Sequence, residues 1–341
     1  MNLWELSTDQ RAGSPKGLPR KLTNWIDFGI EHLSFASNGA RLAFDKVNSQ
    51  TDVYVGRLGP KSFSVPPRRF TLDDYDDFPF AWSRDSSKVF LTIDSSHSGS
   101  ILQQSLGEDQ AEPIMSGSNI VGPVRLTPDG SSLLYIDYEG SASRFMQLPL
   151  SGGLPQLFGQ RKSRLNVLNL ACAQSPATRC VAGALDSERQ RIVLYSFDPP
   201  DPAFHRLFDL DFDLRLDPSW TISPDGSRLA FNKNLADGAE IDVLTLDGKR
   251  EKIVPVRGFN RFRSIDWAPD GGSWFIGAET AAGCSLLRVF PDGTYSVLVN
   301  MHGRGMRTYG IPSPNGQHLA FLGWTVNRNA WIVDNLQRRP R

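Results

Sequence analysis

The sequence predicts an all-β chain folded as one seven-bladed β-propeller, its blades being four-stranded antiparallel sheets. Two observations lead there: a turn motif that recurs at near-constant spacing, and a regular succession of short apolar runs between the turns. The motif is clearest at Trp220-Thr-Ile-Ser-Pro-Asp-Gly-Ser-Arg-Leu-Ala-Phe231. It recurs with variation at His32 to Phe44, Ala81 to Leu91, Val124 to Tyr135, Asp266 to Phe275 and Ile311 to Phe321. Its acidic or Asn position falls at Asn38, Asp85, Asp129, Asp225, Asp270 and Asn315, at intervals of 47, 44, 96, 45 and 45 residues. The double-length interval calls for one degenerate repeat, Ala171 to Cys180 with Ala177 at the turn, and this brings the repeats to seven.

Each element follows from its residues. In the turn, Pro224 presets φ, Asp225 takes the second central position and Gly226 accepts the left-handed conformation of a bulged hairpin. The next strand is short and apolar (Leu42 to Phe44, Leu133 to Tyr135, Leu229 to Phe231, Leu319 to Phe321), as expected when both faces are buried. A third strand is read at Asp52 to Val55, Ser100 to Gln103, Ile192 to Tyr195, Ile241 to Leu244 and Leu286 to Val289. A fourth is read at Arg68 to Thr71, Gln156 to Phe158, His205 to Phe208 and Ser296 to Leu298.

Seven blades of about 49 residues fill the 341 and leave no room for a separate catalytic domain. The expectation is therefore one domain over 1–341, with 1–23 as an N-terminal arm and ring-closing strand and 24–341 as repeats. The last repeat stops after its third strand, Ala330 to Val333, whereas Arg20-Lys-Leu-Thr23 reads as a fourth strand without a blade. Pairing the two would close the ring and remove open sheet edges. Asn2 to Leu6 reads as a third strand whose blade lacks its first half, or else as a surface arm.

Composition excludes several classes. Lys+Arg 37 against Asp+Glu 37 gives net charge 0, so no global field draws the protein to nucleic acid or an anionic membrane. Hydrophobic residues at 40% and charged residues at 22% describe a globular chain that can bury a core. No apolar run reaches the ~18 residues of a membrane span, and Met1 to Leu6 lacks a basic or apolar signal region. The chain as given is expected to be monomeric, unexported and cytoplasmic, and periplasmic or extracellular only as the outer domain of a membrane-anchored receptor.

Recognisable catalytic motifs fail on inspection. Asp209-Leu-Asp-Phe-Asp213 supplies three acids of a calcium loop, but Leu214 stands where the sharp-turn Gly belongs and Trp220 where the bidentate Glu belongs. Asp27-Phe28-Gly29 lacks every other kinase element, and Gly303-Arg-Gly305 lacks the third glycine of a dinucleotide fingerprint. His32, His97, His205, His302 and His318 occur singly, and no Gly-x-Ser-x-Gly elbow is present. No catalytic residue, metal or cofactor is assigned. Propellers also build active sites from single residues on several blades, so a channel-site hydrolase or lyase acting on glycans or peptides is the alternative. Its sign would be a channel-lining acid with a shifted pKa beside a basic partner.

The candidate ligand site is the set of connections from each fourth strand to the next first strand. One is acidic, carrying Asp73, Asp74, Asp76 and Asp77; others are basic, carrying Arg161, then Arg257, Arg261 and Arg263, then His302, Arg304 and Arg307. Such a two-sided face suits a zwitterionic peptide, a protein partner or a small ligand, and equally serves solubility. Cys172 and Cys180 flank the degenerate turn, where they either form a disulfide or sit as free buried thiols; Cys284 is then unpaired.

The repeats Ser223-Pro-Asp-Gly-Ser-Arg-Leu-Ala-Phe231 and Thr127-Pro-Asp-Gly-Ser-Ser-Leu133 resemble the WD-like repeats of TolB-type propellers. Longer stretches resemble the C-terminal propellers of bacterial regulators that carry a winged-helix DNA-binding domain, or a Ser/Thr kinase domain with a membrane helix. They are Arg69 to Asp74 with Ala81-Trp82, Leu148 to Gly153, and Pro312 to Trp324. The resemblance implies a non-catalytic sensing or protein-interaction module in signal transduction. Asp85-Ser86 in place of Asp-Gly, and the degenerate fourth repeat, depart from the pattern.

Overall fold

The acid of each turn motif holds its own hairpin together. Asp225 Oδ1 accepts from the Ser223 hydroxyl and from the Ser227 N–H (3.1 Å). Gly226, at φ 71°, donates its N–H to the Ser223 carbonyl (2.9 Å). The Ser223 N–H then closes the hairpin on the Arg228 carbonyl (2.8 Å). Hydroxyl bonds to the turn acid, led by Ser83, Thr127 and Ser223, hold the carboxyls of Asp85, Asp129 and Asp225 below the usual range. Where Ser86 replaces glycine the conformation survives, at φ 63°, and the Ser86 hydroxyl accepts the Asn315 N–H (3.1 Å) from a neighbouring turn.

The computed structural model describes residues 2–9, 11, 13–25, 28–37, 40–94, 99–118, 124–139, 142–161, 166–186, 191–201, 203–211, 219–303 and 307–334. Asp27, Asn38, His97, Asp213, Leu214 and Arg304 lie outside them. The chain divides into two compact units, Met1–Gln50 with Trp324–Arg341, and Thr51–Gly323. Among the described residues, no helix is long and apolar enough to cross a membrane.

In the smaller unit, β1 (Trp4–Thr8) and β2 (Pro15–Lys21) form an antiparallel hairpin, and β3 (Gly29–Phe35) pairs with the first half of β4 (Arg41–Arg57). Its core is small, with Ile30, Leu42 and Phe44 packed by Leu3, Trp25, Phe28 and Val333. The segment expected to close the ring does something else. Arg20 and Lys21 pair with Glu5 and Trp4 of β1, and the Arg20 guanidinium bonds Glu5 (2.6 Å).

The larger unit holds the propeller. Its closing blade takes β5 (Arg68–Arg69) beside the second half of β4. Blade 1 is β6 (Asp76–Trp82), β7 (Lys88–Asp94), β8 (Gly99–Ser105) and β9 (Glu112–Ser118). Blade 2 is β10 (Arg125–Leu126), β11 (Ser132–Glu139), β12 (Ala142–Pro149) and β13 (Gln156–Arg161). Blade 3 is β14 (Asn166–Cys172), β15 (Cys180–Asp186), β16 (Arg191–Phe197) and β17 (His205–Asp211). Blade 4 is β18 (Trp220–Ile222), β19 (Arg228–Leu235), β20 (Gly238–Thr245) and β21 (Arg250–Val256). Blade 5 is β22 (Phe262–Trp267), β23 (Trp274–Thr280), β24 (Gly283–Val289) and β25 (Tyr295–His302). Blade 6 opens with β26 (Gly310–Pro312) and β27 (His318–Asp334), followed by β4 and β5.

The described residues thus form six blades, not the seven expected. Repeat one contributes only its second half to the ring and repeat seven only its first half, so the two make a single blade. The physical reason lies in β4 and β27. Each is one 17-residue strand, with no glycine or proline near the middle of β4 or after Gly323 in β27 to reverse the chain between second and third strands. The innermost strands follow one another round the ring as β6, β10, β14, β18, β22 and β26, and β26 meets β6 again. Apolar strands pack sheet on sheet, as where Ile241 and Val243 of blade 4 meet Trp267 and Ile276 of blade 5.

Candidate functional site

Six residues occupy one level of the channel. They stand two positions before the residue whose N–H closes each first hairpin, and they are Ala81, Arg125, Ala171, Thr221, Asp266 and Ile311. All six line a cavity of about 290 Å³ at the hairpin-turn end of the inner strands, with Trp82 and Trp267 beside them. Alternation along a β-strand explains the ring: at equivalent positions in each blade the side chain points the same way, here into the channel.

Arg125 and Asp266 are the charged members, and their blades, 2 and 5, are three apart in a ring of six. Arg125 Nη1 donates to the Phe80 carbonyl (3.0 Å) and the Val124 carbonyl (3.2 Å). Asp266 Oδ1 accepts from the Trp267 N–H (2.9 Å) and the Thr221 hydroxyl (3.4 Å). No ion pair within 4.0 Å joins the two. Burial pushes the Asp266 carboxyl up to about 6 although Arg125 pulls it down. Tyr309, just before β26, has a buried hydroxyl with no hydrogen-bond partner, and burial raises its pKa against the pull of Arg125. Cys172 also lines the cavity and is joined to Cys180 by a disulfide between β14 and β15 (S–S 2.01 Å), at the turn that lacks Pro-Asp-Gly. Cys284 is free and buried.

The charged residues singled out from the sequence lie elsewhere. The connections that carry them enter the inner strands at the end opposite the cavity, about 20 Å away along a seven-residue strand. Asp74 is exposed, and Asp76 Oδ1 accepts the Thr51 N–H (2.7 Å). Asp77 is fully buried; burial, then the nearby Asp73 and Asp52, push it up to about 8 against the Thr71 hydroxyl, which pulls it down. Arg69 bonds the buried Asp52 (2.7 Å) and the Asp73 carbonyl (3.2 Å). Arg263 and Arg261 converge on Glu279 (2.5 and 3.8 Å), so much of that loop's charge is answered locally. Arg257, His302 and Arg307 are exposed, and Arg161 ends β13. Among those with described side chains, none lines the cavity.

Sequence reasoning missed Arg125 and Asp266. A signal was there: aligning the repeats on their turns sets two opposite charges at a position otherwise held by Ala, Thr, Ile and, in repeat one, Ser34. Among the described residues, no group of three or more His, Cys, Asp or Glu side chains is arranged to hold a metal ion.

No protein-family model matches the chain, and no curated protein matches it. Solved structures do. A putative TolB from Agrobacterium tumefaciens has TM-score 0.60 at 16% identity, over 82% of this chain and 99% of that one. TolB from Acinetobacter baumannii has TM-score 0.58 at 17% identity, over 74% of this chain; the match spans 64% of that TolB, less than two thirds of its length. An oligogalacturonate lyase in complex with manganese has TM-score 0.50 at 15% identity, over 85% and 77% of the two chains. At such identities the likeness is one of fold, and on that ground the chain has the fold of the TolB-like β-propellers.

Proposed function

We propose that the propeller is a non-catalytic binding module that takes a small ligand, or a segment of a partner protein, into the hairpin-turn end of its channel. One observation carries the reading: Arg125 and Asp266 face a cavity of about 290 Å³ from opposed blades and remain unpaired. Charges kept apart in a desolvated lumen cost stability unless something completes them. In the setting that the longer sequence resemblances imply, the module would report occupancy to a winged-helix or kinase domain. Reading the coding sequence upstream of the Met1 codon tests that setting.

The binding reading is tested by ligand-observed NMR with a panel of carboxylates, amines, sugars and unblocked peptides. Hits are expected on the native chain and are expected to disappear in Arg125→Met and Asp266→Asn. Hits that survive both substitutions would move the site elsewhere, and an empty panel would count against the module itself.

A second reading is favoured by Asp266. A carboxyl titrating near 6 in a cavity, with an arginine across from it, is suited to proton transfer at neutral pH. A channel-site hydrolase or lyase acting on glycans or peptides would use it as acid or base, and the lyase among the similar folds makes oligogalacturonates the first substrate to try. Turnover lost in Asp266→Asn would support this reading; no turnover of oligogalacturonates or peptides by the native chain would remove it.

A further inference from the structure

Each charged wall of the cavity leaves hydrogen-bonding atoms unused. Arg125 spends Nη1 on two carbonyls of its own rim, and among the described residues Nη2 and Nε have no protein partner. Asp266 spends Oδ1 on Trp267 and Thr221, and Oδ2 has none. None of these three atoms is sealed in protein, since none is among the buried atoms that lack a partner, and both residues line the cavity. The Tyr309 hydroxyl near Arg125 also lacks a partner, but it is sealed in protein and does not line the cavity. Between the charged walls the ring is Ala81, Ala171, Thr221 and Ile311, flanked by the Trp82 and Trp267 indoles, and the Arg84 guanidinium at the turn end of the cavity is already bonded to the Asp129 carbonyl (3.1 Å) and the Ser175 hydroxyl (3.2 Å).

We infer that this site takes a small zwitterion, a free α-amino acid or a short peptide with both termini charged, its carboxylate on Arg125 and its ammonium on Asp266 and Thr221. The inference rests on the binding-module reading. A singly charged ligand would complete one wall and leave the other desolvated and unpaired, which the low-dielectric channel penalises. A zwitterion completes both and brings no net charge into a neutral ring. The guanidinium offers a planar, two-donor face to a carboxylate, and the carboxylate of Asp266 accepts from an ammonium. At about 290 Å³ the cavity is at the small end of ligand pockets, which suits one to a few residues and not a folded partner.

The test uses the whole chain and isothermal titration with alanine, dialanine, trialanine and tetraalanine, a ruler for the span between the walls. At least one should bind. Acetylating its amine or amidating its carboxylate should weaken it by about tenfold or more, and so should Asp266→Asn or Arg125→Met. The blocked ligands keep the test valid if a variant fails to fold, because they are read on the unaltered protein. Shorter and longer members of the series separate a free amino acid from a peptide. Equal binding of blocked and unblocked forms would overturn the inference, as would binding by none of the four at millimolar concentration. If simple carboxylates or amines bind through Arg125 or Asp266 while no zwitterion does, the inference fails and the module reading stands. If nothing in either panel binds, both fail.

Discussion

Arg125 and Asp266 hold the same position in their repeats and face one channel from blades three apart, yet no ion pair joins them. The cost of this arrangement is readable in pH. Asp266 titrates at about 6 when folded, against 3.8 unfolded, so the folded chain holds a proton that the unfolded chain has lost between those values. Stability therefore falls as pH rises from about 4 to about 6 and stays lower above it. Asp266→Asn should match the native chain at pH 4 and exceed it by about 1–3 kcal/mol at pH 7, measured by urea unfolding at both.

Asp77 extends the same logic to a group that sits away from the cavity. Its carboxyl is pushed up to about 8 by burial and by Asp73 and Asp52, so its destabilising ionisation develops between about pH 4 and 8. Asp77→Asn should become progressively more stable than the native chain over that window, and its gain at pH 8.5 should exceed the gain of Asp266→Asn. A constant difference across pH would show that Asp77 is already ionised.

Among the six blades of the ring, the Cys172–Cys180 bond stands at the one whose first hairpin lacks the Pro-Asp-Gly or Pro-Asn-Gly chemistry or its Asp85-Ser86 variant. Closing a loop with sequence separation 8 constrains the unfolded chain, worth about 2–3 kcal/mol in the loop-entropy account. Changing both cysteines to alanine should lower stability by that amount, and reductant should then have no further effect on the variant.

Gly277 is required by space. A Cβ there would lie 1.8 Å from the Thr308 carbonyl oxygen, where blade 5 meets the segment leading into β26. Gly277→Ala should cost about 3 kcal/mol, whereas Gly238→Ala, with nothing within 4 Å of its Cβ, should cost little. Thermal unfolding of the two variants side by side checks the contrast.

Ser86 combines a strained φ of 63° with a hydroxyl that accepts the Asn315 N–H. Ser86→Gly relieves the first and loses the second, two effects of about 1 kcal/mol each that nearly cancel. Ser86→Ala keeps the strain and loses the bond, so it should be the less stable of the pair by about 1 kcal/mol in denaturant unfolding.

Local chemistry made the architecture legible. A motif such as Ser223-Pro-Asp-Gly226 carries its own φ preference and hydrogen bonds, so it folds alike wherever it recurs, and the strands at Leu133, Leu229 and Leu319 follow from the apolar runs beside it. Repeat chemistry does not say which copies share a sheet. Whether Asp45 to Gln50 turned back or ran on was decided by pairing between residues some 270 positions apart, in β4 and β27, and that choice made six blades from seven repeats. The site follows the same division. Charges on loops are visible along the chain and drew the reading to Asp73–Asp77 and Arg257–Arg263, several of which are answered by near neighbours. Arg125 and Asp266 lie 141 positions apart, and only closure of the ring sets them on opposite walls of one cavity, where burial gives two ordinary surface residue types an unmet need for a partner.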